Sequence, residues 1–327
     1  MAGKVMRALQ YSAYGGGVAG LKHVELPVPS PKKDEVLIKL EASAINPIDW
    51  KIQDGVMKPF APSKFPHVPV TDISGEILEV GSSVTKFKAG DKVVAMTDNF
   101  YGGLAEFAVA KEKLTVNRPE QVSAAEGAGL VAAGLAAYQA LGAVGVSLDG
   151  TGKTKNVLIT AASGGVGHYA VQLAKLGGHH VTATCGARNL DFVRSLGADE
   201  VIDYKTPEGA ALKSPSGKKY DAVINCVEGI SWSTFTRNMS DSGKVVYLPA
   251  NFGTMLSSLW KKLTFSRKKM VVIILSPNGN QLDTLVGWAA EGKLKTTVDS
   301  TFPLSKAEEA WGKCIESHAT GKIIVEP

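Results

Sequence analysis

Short apolar runs dominate the first 120 residues of the chain, and turns rich in proline and glycine separate them. Runs of this length between such turns predict β-strands. The predicted strands are Val5–Tyr11, Val36–Leu40, Ile73–Val80, Lys92–Ala95 and Ala105–Ala110. Because many short strands occur here without regular helices, we expect a partly open β-barrel.

The pattern changes at residues 123–142, which are apolar and rich in alanine. Ser123 is the expected N-cap of a helix, and Glu126 three residues later completes a capping-box pattern. We therefore expect one helix that connects two domains.

From residue 156 to about 275, strand-like and helix-like patterns alternate. The predicted strands are 156–161, 180–184, 200–203, 221–226, 244–248 and 270–275. Six strands with helices between them are typical of a doubly wound parallel sheet, so the expected fold class is α/β.

The residues after 296 return to a strand-like pattern around one helix at Lys306–Ser317. They most simply complete the first domain. The predicted domains are therefore residues 1–123 with 297–327, and residues 124–296.

A glycine-rich turn follows the first of the six predicted strands and precedes the helix that leads to the second. The turn, Ser163–Gly167, follows the apolar run Asn156–Ala162 directly and precedes an apolar repeat with helical spacing. This order is typical of a dinucleotide-binding unit, because glycine lets the backbone approach a pyrophosphate and the helix start offers it free N–H groups. The predicted pyrophosphate contacts are Ser163, Gly164, Gly165 and Val166. An ordinary structural turn is the alternative.

The end of the second strand indicates which dinucleotide binds. NAD sites usually place a carboxylate there, whereas Thr184–Arg188 has no acid and one guanidinium. An arginine can hold a 2′-phosphate with two N–H groups, and the Tyr204 hydroxyl could bind the same phosphate. The predicted cofactor is thus NADPH, with Arg188 as a solvated surface charge being the alternative. The further predicted cofactor contacts are Gly186, Arg188, Tyr204, Cys226 and Leu248.

Composition and charge exclude several classes of protein. The net charge is +5, from 36 basic and 31 acidic residues, which offers no case for nucleic-acid binding. Three cysteines without metal-ligand spacing indicate a reducing compartment. The longest aliphatic run, Val271–Leu275, is too short to cross a bilayer. Since a strand-like pattern starts at Val5, we expect no cleavable presequence.

Residues 251–270 form a basic amphipathic segment. Apolar side chains that include Trp260 share one helical face, and lysines with Arg267 cluster behind them. Such a segment can make a peripheral contact with an anionic membrane, cover an apolar substrate or contact a second subunit. A core-facing helix with a solvated back fits the same pattern.

Seven segments together resemble one enzyme family. They are Ala44–Gly55, Thr71–Gly81, Phe87–Val93, Gly102–Phe107, Ala132–Leu141, Ala161–Lys175 and His318–Val325. The chain is similar over nearly its whole length to the zinc-free quinone oxidoreductase branch of the medium-chain dehydrogenase/reductase family. The resemblance implies a GroES-like catalytic domain, a Rossmann domain and a homodimer. It is strongest to plant members from the chloroplast envelope, which implies a plastid location; without it we would expect a cytoplasmic protein.

The resemblance also implies a substrate pocket lined by Asn46–Lys51 and a quinone or an α,β-unsaturated carbonyl as substrate. The Asn46 amide would donate to the substrate oxygen, Lys51 would stabilise or protonate an enolate, and Asp49 would orient its neighbours. The alternative is a structural turn that Asn46 and Pro47 fix, with Asp49 and Lys51 as a surface pair. Val70 stands where the family often has glycine, which is a departure from its pattern.

No metal is expected. Zinc-using members of the family carry a cysteine where this chain has Asn46 and a histidine where it has Thr71, and His67 is expected to be structural. A rival function is an NADPH-binding protein with weak catalysis and a redox-sensing or membrane-peripheral role. Ala136 favours that rival, because it removes a hydroxyl that the family often has near the nicotinamide.

Overall fold

The computed structural model of the chain describes residues 3–58, 61–62, 64–98, 101–248 and 268–327. Its strands are β1 (Val5–Tyr11), β2 (Leu21–Pro27), β3 (Glu35–Ile45), β4 (Asp72–Val80), β5 (Lys92–Met96), β6 (Phe107–Lys111), β7 (Thr115–Asn117), β8 (Asn156–Ile159), β9 (His180–Cys185), β10 (Glu200–Asp203), β11 (Tyr220–Asn225), β12 (Met239–Tyr247), β13 (Lys269–Val272), β14 (Val298–Pro303) and β15 (Lys322–Glu326). Its helices are α1 (Pro47–Gln53), α2 (Ala124–Ala143), α3 (Gly167–Leu176), α4 (Leu190–Ser195), α5 (Pro207–Ala210), α6 (Trp232–Asn238), α7 (Gly279–Ala290) and α8 (Ala307–Glu316).

The chain folds into two compact units. Unit 1 comprises residues 1–135 and 277–327, and unit 2 comprises residues 136–276. The first predicted limit is 123/124 and the second 296/297; the first half of α2 belongs to unit 1, because it packs on the strands there. Ala128 in α2 lies in one apolar cluster with Ala42 in β3 and Ile324 in β15.

The β domain of unit 1 is organised around β3. A mainly antiparallel sheet runs in the order β14-β15-β3-β4-β5-β7, with β6 also paired to β3, and β1 pairs with β2 in a separate sheet. The longest strand, β3, therefore pairs with three neighbours. Its end at Ile45 lies opposite Ile323 of β15, which brings the start of α1 beside the last strand of the chain.

Unit 2 contains the predicted doubly wound sheet. Its strand order is β10-β9-β8-β11-β12-β13, and every neighbouring pair is parallel. Val157, Leu158 and Ile159 of the central strand are fully buried, as expected for a strand covered on both faces. The order reverses between β8 and β11, which is where open parallel sheets bind ligands.

The connecting helix begins as predicted. The Ser123 backbone N–H donates to the Glu126 carboxylate at 3.0 Å, and the Glu126 N–H donates to Ser123 Oγ at 3.2 Å. These bonds form a capping box, which satisfies two backbone donors at the start of α2.

The sequence pattern did not reveal β2 or α1. Strand β2 pairs with β1 along its length, from Leu21 opposite Tyr11 to Pro27 opposite Val5, but exposed polar side chains hide its alternation. Helix α1 has seven residues, which is too few to show helical periodicity. Among the described residues, no helix combines the length and the apolar character that a membrane span requires.

Candidate active site

The glycine turn after β8 has the tight geometry that a dinucleotide site needs. A Cβ atom on Gly167 would lie 2.2 Å from the Ala161 carbonyl oxygen, so only glycine fits at the start of α3. Ala161 itself has a positive φ of 48°, and the Gly164 N–H donates to its carbonyl at 2.9 Å. Ser163, Gly164, Gly165 and Val166 are all partly accessible in this turn. Helix α3 follows at once, with its free N–H groups at the turn.

His168 supports the turn from inside α3. Its ring is fully buried, and Nδ1 lies 3.0 Å from the Gly164 carbonyl oxygen, which also accepts from the His168 backbone N–H at 3.1 Å. Nδ1 must therefore carry a proton, since the carbonyl can only accept. The contact between the His168 ring and the turn was not predicted. A histidine at the second position of an apolar helix was the signal that could have suggested it.

Two buried polar side chains connect the ends of β8 and β11. Thr160 Oγ1 donates to Asn225 Oδ1 at 2.9 Å and accepts from the Cys226 N–H at 2.9 Å. The Leu248 N–H, just after β12, donates to the Asn225 carbonyl at 3.1 Å. Cys226 and Leu248 thus follow parallel strands at the same edge of the sheet as the glycine turn. Thr160 and Asn225 were missed as site residues.

The Cys226 thiol lies in an environment that favours its protonated form. Burial raises the pKa of its thiol to about 12, so the thiol form dominates at neutral pH. This agrees with the interpretation of Cys226 as a small residue of the site.

The ends of β9 and β10 bring Gly186 and Tyr204 together. The Tyr204 N–H donates to the Cys185 carbonyl at 3.1 Å, and a Cβ on Gly186 would lie 3.6 Å from the Tyr204 ring. Tyr204 is 50% exposed, and Arg188 is exposed in the short 3-10 helix after Gly186. Lys205, whose Nζ lies 5.9 Å from the Tyr204 ring centroid, adds a second cation that was not predicted. These side chains can bind a phosphate group.

A buried polar cluster surrounds the start of α1 in unit 1. Asn46 Nδ2 donates to Asp72 Oδ2 at 2.8 Å and to the Ala44 carbonyl at 3.2 Å, and Asn46 Oδ1 accepts from Lys322 Nζ at 2.5 Å. The Asn46 backbone N–H donates to Asp49 Oδ2 at 2.7 Å. We call Asn46, Asp49, Asp72 and Lys322 the buried polar cluster. Each of them is at most 6% exposed.

The two carboxyl groups of this cluster differ in their hydrogen bonds. Asp72 accepts from Thr71 Oγ1 at 2.9 Å and from the Ala132 N–H at 3.0 Å, in addition to Asn46. Asp49 Oδ1 has no partner among the described residues. Burial raises the pKa of both groups, and for Asp49 the pKa reaches about 8. At Asp72, the charge of Lys322 and the three hydrogen-bond donors oppose this rise in pKa. Asp72 thus has three donors that favour its carboxylate form, whereas burial favours the protonated form of Asp49.

Lys322 is the positive partner in this cluster. Burial lowers the pKa of its ammonium group, and the charge of Asp72 is the main opposing effect. Its Nζ also lies 3.4 Å from the Ile45 carbonyl oxygen. Sequence reasoning missed both Lys322 and Asp72; a lysine inside the apolar run of β15 was the available signal.

The structure corrects one alternative for residues 46–51. They are not a turn with a surface pair, because Pro47–Gln53 is helical and Asp49 is 2% exposed. Lys51 is half-buried, with Nζ 5.7 Å from the Trp50 ring centroid. Both N–H bonds of the Asn46 amide have acceptors within the chain, so its donation to a substrate stays a prediction.

Val70, directly before this cluster, has a strained backbone. Its φ is 79°, a left-handed conformation that β-branched residues rarely adopt and that the family's glycine would enter freely. Val70 is fully buried, and its carbonyl accepts from the Gly103 N–H at 2.8 Å. Strain of this kind costs about 1–3 kcal/mol and often occurs beside functional residues.

The residues at the positions of the family's zinc ligands have hydrogen-bond partners within the chain. Asn46 and Thr71 both hydrogen-bond to Asp72, and within the described ranges no three Cys, His, Asp or Glu side chains are grouped so that they could hold a metal ion. His67 is buried between aromatic rings, with centroid distances of 5.2 Å to Tyr11 and 5.5 Å to Tyr101.

Most of the amphipathic segment 251–270 lies outside the described residues, which resume at Lys268. Lys268 Nζ donates to the Thr236 carbonyl at 2.7 Å, and Lys269 begins β13. The membrane, lid, subunit-contact and core-helix interpretations of this segment all stay predictions.

Two family models match the chain. The alcohol dehydrogenase GroES-like domain matches residues 32–120, and the zinc-binding dehydrogenase model matches residues 196–325. A quinone oxidoreductase structure from Coxiella burnetii superposes with a TM-score of 0.88 at 31% identity, covering 99% of this chain and 100% of that one. These matches confirm the GroES-like and Rossmann fold.

Curated relatives make the family assignment firm. The chloroplast envelope quinone oxidoreductase homolog of Arabidopsis thaliana is 62% identical over 100% of both chains. The chloroplastic NADPH-dependent alkenal/one oxidoreductase of the same plant is 33% identical over 99% of this chain and 80% of its own length. The chain belongs to the medium-chain dehydrogenase/reductase family, whose members bind nicotinamide dinucleotides. Within it, the chain groups with the plant chloroplast quinone oxidoreductase homologues, which confirms the predicted plastid location.

Proposed function

We propose that the protein is an NADPH-dependent, zinc-independent reductase that transfers hydride to quinones or α,β-unsaturated carbonyls. One observation carries the cofactor assignment: a dinucleotide turn is combined with a second strand, β9, that is followed by Gly186 and Arg188 and by no carboxylate. The exposed Tyr204 and Lys205 follow the neighbouring strand. A 2′-phosphate would meet two cations and a hydroxyl there, whereas a ribose 2′-OH would lack its usual acceptor.

The substrate class is supported by the chemistry that a site without zinc can perform. NADPH supplies a hydride, which needs an electron-poor carbon rather than a carbonyl polarised by a Lewis acid. Quinones and conjugated enones offer such a carbon, and the added electron pair then develops charge on their oxygen. Relatives named for quinones and for alkenals and enones support both substrates.

The start of α1 is the proposed substrate side of the reaction. Asn46 begins the helix and is held there by the buried polar cluster, and Lys51 one turn later supplies a cation for the developing enolate or hydroquinone anion. Asp49 positions the Asn46 backbone and stays protonated at neutral pH. In an enone the hydride adds to the carbon β to the carbonyl, and a proton completes the saturated ketone. A quinone takes up one hydride and one proton in all, and both hydrogens are on its oxygens in the hydroquinone.

A steady-state panel tests this proposal. NADPH oxidation would be followed with a quinone, a short enone and a long-chain enone, before and after extensive dialysis against a chelator. We expect turnover of at least one acceptor, a preference for NADPH over NADH, and rates that the chelator leaves unchanged. No turnover on all three acceptors would refute the reductase assignment, and loss of rate that added zinc restores would refute zinc independence.

A second function is favoured by the Asn46 amide, whose two N–H bonds are already used within the chain. It is NADPH binding with little catalysis in a redox-sensing role. Tight NADPH binding without oxidation by any acceptor in the panel would select this function over the first.

The homodimer and a peripheral membrane contact through residues 251–270 are also proposals. Sedimentation velocity would test the dimer, and a single species at the monomer mass would contradict it. Co-sedimentation with anionic liposomes would test the membrane contact, comparing the wild type with a variant in which Lys261, Lys262, Lys268 and Lys269 are alanine. Equal binding of the two proteins would discard the contact.

A further inference from the structure

We propose that Lys322 is a positioning residue of the reductase site, where its buried ammonium group fixes Asn46 and with it the start of α1. The inference rests on the proposed function for its effect on turnover, but its geometric part can be tested without catalysis. It assigns a role to a residue from the last strand of the chain.

The contacts of Lys322 are those of a built site. Its side chain is 2% exposed, and Nζ donates to Asn46 Oδ1 at 2.5 Å and to the Ile45 carbonyl at 3.4 Å. An ammonium group is seldom buried unless it is paired, so its presence here needs the negative charge of Asp72. Antiparallel pairing of β15 with β3, with Ile323 opposite Ile45, brings Lys322 to this point.

Lys322 leaves the Asn46 amide only one orientation. Its oxygen must face the ammonium group, because an amide NH2 in that place would set donor against donor. The NH2 group then points to Asp72 Oδ2 and the Ala44 carbonyl, as observed. Asn46 is the N-cap of α1, and its backbone N–H donates to Asp49. Fixing the side-chain amide of Asn46 therefore also fixes the first turn of the helix that carries Lys51.

The cluster also connects the two positions at which zinc-using members of the family place ligands. Positions 46 and 71, where those members place ligands, are joined here by Asp72, which accepts from both side chains. Lys322 supplies the positive charge from within the chain. The cluster therefore explains how this site can be rigid and charge-balanced with asparagine and threonine at these positions.

Replacing lysine alone would leave Asp72 buried with an unpaired charge, which can unfold a protein. We therefore choose two variants, Lys322→Met and the charge-neutral double variant Lys322→Met with Asp72→Asn. Lys39→Met is the matched control, because Lys39 is an exposed lysine on β3 of the same sheet. Melting temperature, NADPH affinity and kcat would be measured for each protein.

We expect Lys322→Met to lower the melting temperature and the double variant to recover most of it. The kcat of both should stay at least tenfold below that of the wild type, while NADPH affinity stays within about twofold. A purely structural lysine would instead let kcat recover together with the melting temperature, and that result would overturn the proposal.

A measurement independent of turnover follows the Asn46 side-chain amide by NMR in protein labelled with 15N-asparagine. Its signals are assigned by their loss in Asn46→Asp. We expect hydrogen exchange of these amide protons to be at least tenfold faster in the double variant than in Asp72→Asn alone, which removes the same Asp72 acceptor of the amide but keeps Lys322. Unchanged exchange would show that Lys322 does not hold Asn46. If the wild-type protein reduces no acceptor, the proposed function is refuted. The hydrogen exchange of the Asn46 amide still decides whether Lys322 positions Asn46.

Discussion

The glycine turn of unit 2 and the buried polar cluster of unit 1 are built in different ways. The turn consists of one contiguous stretch, Ala161–His168, in which backbone atoms and the buried His168 ring make the contacts described above. The cluster joins side chains from the end of β3, from α1, from the start of β4 and from β15. In the glycine turn, local backbone geometry decides which residue types fit at neighbouring positions. In the buried polar cluster, side chains far apart in the sequence meet only because their strands pair.

The largest effect should come from breaking the turn. Gly167→Ala places a Cβ 2.2 Å from the Ala161 carbonyl oxygen and 2.7 Å from the Ala162 Cα, so the turn must open. We expect NADPH affinity to fall at least about a hundredfold, measured by fluorescence titration. Gly142→Ala in α2 is the control, because its Cβ would meet nothing within 4 Å. Equal affinities for the two variants would mean that the turn is not the cofactor site.

The cluster should show itself in the pH dependence of stability. The pKa of Asp49 is about 4 in an unfolded chain and about 8 in the folded protein, so its stabilising effect is complete below pH 4 and is lost as the pH rises to 8. Asp49→Asn should match the wild type near pH 4 and become more stable than it by a few kcal/mol toward pH 8.

The free energy of unfolding from urea titrations at several pH values would check this prediction. Asp54→Asn, an exposed residue at the end of α1, is the control and should follow the wild-type curve. If Asp49→Asn ran parallel to the wild type at every pH, Asp49 would not hold a proton in the folded protein.

A smaller effect is expected at the proposed 2′-phosphate contact of the cofactor. Arg188→Ala should raise the KM for NADPH about tenfold or more and change the KM for NADH by less than about threefold, because a charged hydrogen bond to a phosphate contributes about 1.5–3 kcal/mol. Arg194→Ala on α4, which pairs with Asp191, is a matched control for the loss of a surface arginine. Similar changes for both cofactors would argue against a 2′-phosphate contact.

The smallest effect is expected at the capping box of α2, in which the side chains of two residues close in sequence make the contacts. Ser123→Ala removes the cap of α2 and should lower the free energy of unfolding by about 1 kcal/mol, with NADPH affinity unchanged. Urea denaturation would measure it, with the exposed Ser82→Ala as control. A loss no greater than that of the control would show that the capping box contributes nothing.

Most of the fold could be predicted from the sequence, because its signals are local. The six strands of unit 2 occur where β-branched apolar runs predicted them, and the capping box at Ser123 marked the start of α2. Strand β2 could not be predicted, because Lys22, His23 and Glu25 obscure its apolar alternation.

The candidate site could be predicted only in part. The glycine turn and the end of β9 are local, but Thr160 and Asn225 meet only because β8 and β11 pair. Lys322 and Asn46 meet only because β15 and β3 pair, nearly the whole length of the chain apart. Pairing of distant strands is decided by the packing of the whole domain, so no local pattern could have revealed these contacts.

The transfer of deuterium from NADPH tests the central claim most directly. The protein would be incubated with NADPH deuterated at nicotinamide C4, on each face in turn, and with a conjugated enone, and the product would be examined by mass spectrometry and NMR. We expect that one of the two labelled forms delivers one deuterium to the carbon β to the carbonyl. A saturated product without deuterium from either form would contradict hydride transfer from NADPH by this protein.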